Sequence, residues 1–195
     1  MDTSQEIEPR KRERPLRRAD RKPATLSGRS KLLLALGLTL LAWGSDQALK
    51  ALVETRMTLG ERIPVIDGLL WWHYILNPGA AFSMGEEFTW VFTLIMVAAV
   101  LVCLYYLVQA QASSWIFSLS LLLGGVLGNL TDRLFRPPGF GVGQVVDYIS
   151  VGKFAIFNIA DACICTAMGL LVLLVFRGIK LNGEREETAS ARGDR

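Results

Sequence analysis

The segment FTWVFTLIMVAAVLVCLYYLV, residues 88–108, contains no Asp, Glu, Lys or Arg. As a helix it would rise about 30 Å at ~1.5 Å per residue, the thickness of a bilayer's hydrocarbon core. It therefore reads as a membrane span. Working outward, three more apolar segments of similar length follow the same logic: Lys31–Val53, Trp115–Phe135 and Phe154–Phe176. The chain has 195 residues, 51% of them hydrophobic, with mean hydropathy +0.35. Its charged residues crowd the two ends and the breaks between apolar runs. The expected fold is an all-α membrane protein, a bundle of four transmembrane helices.

Residues 1–30 are rich in charge and nearly free of apolar periodicity, and read as a disordered basic tail. They do not read as a cleaved signal peptide, because the apolar run behind them is too long. Lys and Arg before the first span predict a cytoplasmic N-terminus. Four spans return the C-terminus to the cytoplasm, where residues 178–195 read as a polar tail. The membrane domain is expected over residues 31–177. A net charge of +3 suggests no nucleic-acid partner. Three cysteines, Cys103, Cys163 and Cys165, lie in apolar runs and do not suggest disulfides.

Two segments then face outward. In the first, about Glu54–Glu87, the apolar residues around Ile63, Val65 and Trp71–Ile75 read as short strands. Pro64, Gly68 and Asn77-Pro78-Gly79 read as turns. The second, about Arg136–Lys153, is a glycine-rich loop carrying VVDYI, with Asp147.

Ionisable residues within spans are costly and mark functional candidates. Here they share one end: Asp46 and Lys50 of the first span, Asn129, Asp132 and Arg133 of the third, Asn158 and Asp161 of the fourth. Asp46 and Lys50 are spaced i, i+4 and read as a structural ion pair. Asp132 and Arg133 read either as an interfacial anchor or as substrate-contacting groups. Asn77 could serve only a turn. Trp71, Trp72 and Tyr74 read as an interfacial aromatic belt, and Asp67 and Glu86 as solvated. A span beginning near Phe154 would place Asp161 about 10 Å inside it. Gly124 and Gly128 form G-x-x-x-G, which permits close helix approach.

The inventory narrows the chemistry. There is one histidine, His73, and no nucleophile-elbow motif for a Ser-His-Asp triad. Metal ligands are scarce, and no phosphate-binding glycine loop is present. Neither a metal nor a cofactor is expected. Two aspartates sharing a partly dry site can share one proton. The ionised one can then take a proton from water, while the other polarises a carbonyl. On this reading Asp147 and Asp161 are a catalytic dyad.

Five blocks occur in order: SDQALK (residues 45–50), NPGAAFS (77–83), GGVLGNLTDR (124–133), VVDYI (145–149) and FNIAD (157–161). With them the core from Leu32 to Phe176 closely resembles lipoprotein signal peptidase, the bacterial signal peptidase II family of intramembrane aspartic proteases. The resemblance implies cleavage of diacylglyceryl-modified prolipoproteins just before the lipidated cysteine. It implies Asp147 and Asp161 as the catalytic pair. Asn77 and Gly79, with Asn129, Asp132, Arg133 and Asn158, are implied as substrate-binding or orienting residues. It also implies a small extracytoplasmic β-cradle and a periplasmic lid formed by a loop or short helix. The location implied is the bacterial cytoplasmic (inner) membrane, with the active site near its outer surface. The implied partners are prolipoprotein substrates and membrane lipids, and a monomer is expected.

Other classes keep a place. A proton-coupled transporter would string polar residues across the bilayer, but the inner halves of these spans are nearly all apolar. A non-enzymatic assembly factor could use Asp–Arg pairs to bind other spans. A presenilin-type protease would carry G-x-G-D, which GVGQVVD does not match.

Overall fold

The computed structural model describes residues 27–79 and 89–186. Most of the N-terminal tail assignment, the end of the C-terminal one, and Ala80, Phe82 and Glu86 lie outside the described residues. Among the described residues, four helices are long and apolar enough to cross a membrane: α1 (Gly28–Arg56), α2 (Thr89–Gln109), α3 (Ser113–Phe135) and α4 (Ile159–Phe176). Three strands, β1 (Arg62–Ile66), β2 (Leu70–Asn77) and β3 (Val145–Val151), form one antiparallel sheet in that order. The expected bundle with a small sheet is present.

Helix α3 is the centre of the bundle and packs against α1, α2 and α4. Its spanning window is 61% buried, against 22% or less in the other three. Those three turn large apolar side chains outward, among them Leu41, Leu101, Val108 and Val175. In water such a surface would drive association; against lipid tails it is at home.

The glycines of α3 set how close its neighbours come. A Cβ on Gly124 would lie 2.6 Å from Ala42 Cβ and 2.8 Å from Thr39 O, both on α1. On Gly125 it would lie 2.7 Å from Ala160 O of α4, and on Gly128 it would meet Asp46 Oδ2 at 2.6 Å. Gly124 and Gly128 therefore act as the G-x-x-x-G pattern suggests. Gly125 adds a second face, toward α4.

Several local readings change. Asp147 lies on a strand and not in a loop, because VVDYISV is covered on both faces and is buried almost throughout. Pro64 lies within β1 and not in a turn; β1 is an edge strand with irregular register beside Pro64, a setting that tolerates the missing N–H. Tyr74 is buried with Val53, Val146 and Tyr148, so the aromatic belt loses that member. Trp72 stacks on Tyr148 with centroids 5.6 Å apart, and Arg62 lies 4.0 Å over the Trp71 ring.

The fourth helix begins at Ile159 and not near Phe154. Phe157 instead pairs with Ile149 of β3 in an isolated bridge. Apolar content alone does not separate such a strand return from a helix. The β3–α4 connection carries no short helix; it is a tight return through Gly152 at φ 55°. Residues 178–186 are likewise not a free tail. Ile179 and Arg185 form a bridge, Leu181 O accepts from the N–H groups of Gln111 and Ala112, and the Leu181 side chain packs on the Ala110–Ile116 cluster.

Gly125→Ala should lower stability by about 1–3 kcal/mol, the usual cost of overpacking. Gly44→Ala, whose Cβ would meet nothing within 4 Å, should be neutral or gain ~0.5–1 kcal/mol of helix propensity. Thermal unfolding in detergent compares the two, and equal effects would contradict the close α3–α4 contact.

Candidate active site

Asp147 and Asp161 come together at the sheet-bearing end of the bundle. Asp147 is brought by β3 and Asp161 by the first turn of α4. The start of α4 at Ile159 corrects the expected depth of Asp161. Asn158 is its N-cap, and Asp161 is the third helical residue. Asp161 N donates to Asn158 Oδ1 (2.9 Å), and Asn158 N donates to Asp161 Oδ2 (3.1 Å). This is a capping box built from Asn and Asp. Helix-end geometry thus explains part of why an aspartate stands there.

Asn158 also bridges the two carboxylates. Its Nδ2 donates to Asp147 Oδ1 at 2.7 Å, as well as to Asn129 Oδ1 at 3.1 Å and Val146 O at 3.3 Å. Asn77 Nδ2 donates to Asp147 Oδ2 at 2.9 Å. Strand register sets this contact: Asn77 pairs with Val145 and Ile75 with Asp147, so Asn77 and Asp147 are diagonal neighbours on one face of the sheet. Asn129 Nδ2 donates to Asp161 Oδ1 at 2.7 Å. Every oxygen of the two carboxylates therefore accepts an N–H.

Each asparagine is turned by a group that can only donate. Gly79 N donates to Asn77 Oδ1 (3.0 Å), Asp161 N to Asn158 Oδ1, and Lys50 Nζ to Asn129 Oδ1 (2.9 Å). With each oxygen so held, each NH₂ group faces a carboxylate.

Lys50 is fully buried. Its three donors go to Asn129, to Asp46 Oδ2 (2.8 Å) and to Asp132 Oδ2 (2.7 Å). The expected Asp46–Lys50 pair is present, but it is part of a larger network. Asp46 Oδ1 accepts from Ala160 N at 2.9 Å, one of the unpaired first-turn N–H groups of α4. Asp132 accepts from Arg136 Nε at 2.7 Å, from Gln47 Nε2 at 3.3 Å and from Val146 N of β3 at 3.3 Å. Arg136 in turn pairs with Glu54. Asp132 is fully buried, so it positions other groups and is not an interfacial anchor.

Arg133, 1% exposed, is an organiser as well. Its guanidinium donates to the carbonyls of Asn77 (3.1 Å), Pro78 (2.9 Å) and Gly143 (2.9 Å), and to that of Gly79. It fixes the Asn77–Gly79 turn, which in turn aims Asn77 at Asp147. Gly143 leaves room for nothing larger: a Cβ there would lie 2.3 Å from Asp132 O. Thr89 and Thr93 of α2 close the same end through Pro78 O and Gly141 O, each at 2.7 Å.

Asp147 is 2% exposed. Burial pushes its carboxyl up to about 7, and the negative charge of Asp161 adds to this. The N–H groups of Asn77 and Asn158, with the Lys50 charge, oppose the rise. A group that keeps its proton to neutrality beside a second carboxylate fits an acid–base pair at ordinary pH.

All of the expected site residues share this end. Gln47, Glu54, Arg136 and Gly143 were not anticipated. Arg136 stands i+4 from Asp132 and so has a spacing signal; Gln47, directly after Asp46 in SDQALK, has none. Glu54 and Gly143 have none either.

Residues 38–177 match the family model for signal peptidase (SPase) II. The chain belongs to the signal peptidase II family. Among its relatives, the lipoprotein signal peptidase of Leifsonia xyli subsp. xyli is 44% identical over 161 residues, which span 82% of this chain and 74% of the relative. That of Mycobacterium avium is 38% identical over 176 residues, 89% of this chain and 93% of the relative. A solved structure described as a bacterial membrane enzyme superposes with TM-score 0.67 at 26% identity, covering 84% of this chain and 98% of that one. This family member is thus a multi-pass membrane protein with the fold of known membrane enzymes.

Lys50→Met would leave the Asp46 and Asp132 carboxylates buried without their shared cation. The expected loss is about 3–5 kcal/mol, read by thermal unfolding. A loss below about 1 kcal/mol would mean that the network is more solvated than its burial implies.

Proposed function

We propose that this chain is an aspartic endopeptidase that removes the signal peptide from diacylglyceryl-modified prolipoproteins, cutting before the lipidated cysteine. The observation that carries the proposal is the pair Asp147 and Asp161, bridged by Asn158 with every carboxylate oxygen on an N–H donor. Its relatives' shared name, lipoprotein signal peptidase, supports the substrate class.

In the working state the pair holds one proton, which belongs to both carboxyls. The ionised carboxylate removes a proton from water as the oxygen attacks the scissile carbonyl. The protonated partner hydrogen-bonds the carbonyl oxygen, and the proton then passes to the leaving amine. Asn77, Asn129 and Asn158 keep the two carboxyls in place, and Asp132, Arg133 and Lys50 keep the asparagines in place. Gly79, whose N–H and carbonyl are both engaged, fixes the turn beside the pair. Asp161, half-buried, is the more accessible of the two.

The peptidase domain spans residues 31–177, with cytoplasmic segments on either side. The basic N-terminal segment orients the bundle in the bacterial inner membrane with both termini cytoplasmic. The sheet then lies at the outer surface as a cradle, and the Gly152–Asn158 return beside Asp147 acts as its lid. The enzyme works as a monomer on membrane-anchored substrate.

Purified wild type should cut a diacylglyceryl-modified prolipoprotein, and folded Asp147→Asn and Asp161→Asn should each lose at least about 10³-fold in kcat. Retained activity in either variant would move the chemistry elsewhere. The pH profile of kcat/KM carries a sign as well. The shared proton is lost as pH rises through about 7, so activity should fall above that point. Asn77→Ala removes an N–H that favours the charged form of Asp147, so this alkaline limb should move to higher pH.

A further inference from the structure

We propose that a groove between α1 and α2, at the end of the bundle away from Asp147 and Asp161, binds an acyl chain of an anionic phospholipid whose phosphate is held by Lys31. The groove has a volume of about 390 Å³. Leu32, Ala35 and Leu36 form one wall, Leu104 and Leu107 the other, and Leu123 of α3 the floor. Both α1 and α2 lean on α3, and a small stripe on α1, Ala35 and Thr39, leaves the gap between them. From Lys31 to Thr39 it runs about 12 Å, and from Lys31 to Asp46 about 22 Å, at ~1.5 Å per residue. It is therefore separate from the aspartate pair.

Charge at one mouth names the occupant. Lys31 is half-buried at the groove edge, where its Nζ donates to Val108 O at 2.5 Å. Val108 O is among the last carbonyls of α2, which have no partner within the helix. An ammonium has three donors, so two remain for a phosphate. No acidic residue stands in the first turn of α1. Arg29 precedes Lys31, and the sequence before it is basic from Arg10 to Lys22. Such a segment attracts anionic lipid at a membrane surface.

Size separates a lipid chain from a peptide helix. One helical turn, about 5.4 Å tall and ~10 Å wide with side chains, fills roughly 420 Å³. At about 390 Å³ the groove is smaller than one such turn, whereas a flexible acyl chain can follow its length.

The test is native mass spectrometry of the full-length protein in detergent, titrated with phosphatidylglycerol and phosphatidylcholine of identical acyl chains. Wild type should retain one phosphatidylglycerol, preferred about fivefold, the share of one lysine at a membrane surface. Lys31→Gln should bring that preference close to unity with cleavage unchanged. Leu36→Trp, filling the groove from its exposed side, should reduce retention of both lipids. Equal retention of the two lipids by wild type would overturn the proposal, as would an unchanged preference in Lys31→Gln. If Leu36→Trp raised KM for prolipoprotein and left lipid retention intact, the groove would belong to the substrate's helix instead.

Discussion

The buried ammonium of Lys50 is the constraint on which the rest of the site depends. Two carboxylates, Asp46 and Asp132, and one amide oxygen, that of Asn129, take its three donors. Through Asp46 the ammonium is tied to the first turn of α4. Through Asp132 it is tied to β3, and through Asn129 to the Asp161 carboxylate. These links join the two elements that carry Asp147 and Asp161. A buried ion pair is weak evidence of net stability. Here the network's larger contribution is position: α1 and α3 hold a strand and a helix start in one relation to each other.

Polar burial is possible because the backbones come so close. Gly128 brings α3 against the Asp46 carboxylate, and Gly125 brings it against the Ala160 carbonyl. With these contacts the polar groups can satisfy one another without water. All four oxygens of Asp147 and Asp161 have donors from the protein, yet the two charges still oppose each other, and burial opposes both. On the proposed reading, one proton shared by the pair relieves that conflict. On that reading the same groups set both the geometry and the protonation state.

Much of this was legible in the sequence, and the failures have physical causes. The four spans follow from uninterrupted apolar length, which leaves few alternatives in a bilayer. The clustering of Asp46, Lys50, Asn129, Asp132, Asn158 and Asp161 follows from their common end of the spans. Apolar length alone starts the fourth span at Phe154, five residues early, because Phe154–Phe157 is as apolar as a helix while its role is to return alongside β3. That shift changes the meaning of Asp161: it is a capping residue of the helix start and not an isolated charge deep within it. Asp147 looked like a loop residue because a strand buried on both faces lacks the alternation that marks a half-buried one. The direction of each asparagine amide could not be read, because it is fixed by long-range donors such as Lys50, 79 positions away from Asn129.

The central claim is that Asp147 and Asp161 share one proton near neutral pH. Infrared spectroscopy of protein with isotope-labelled aspartate observes this directly, because only a protonated carboxyl shows the carbonyl stretch. The account predicts a labelled carbonyl band at pH 6 that fades as pH passes about 7 and is missing at pH 6 when both Asp147 and Asp161 are replaced by Asn. A wild-type protein with no such band above about pH 5, as for ordinary carboxylates, would contradict the account.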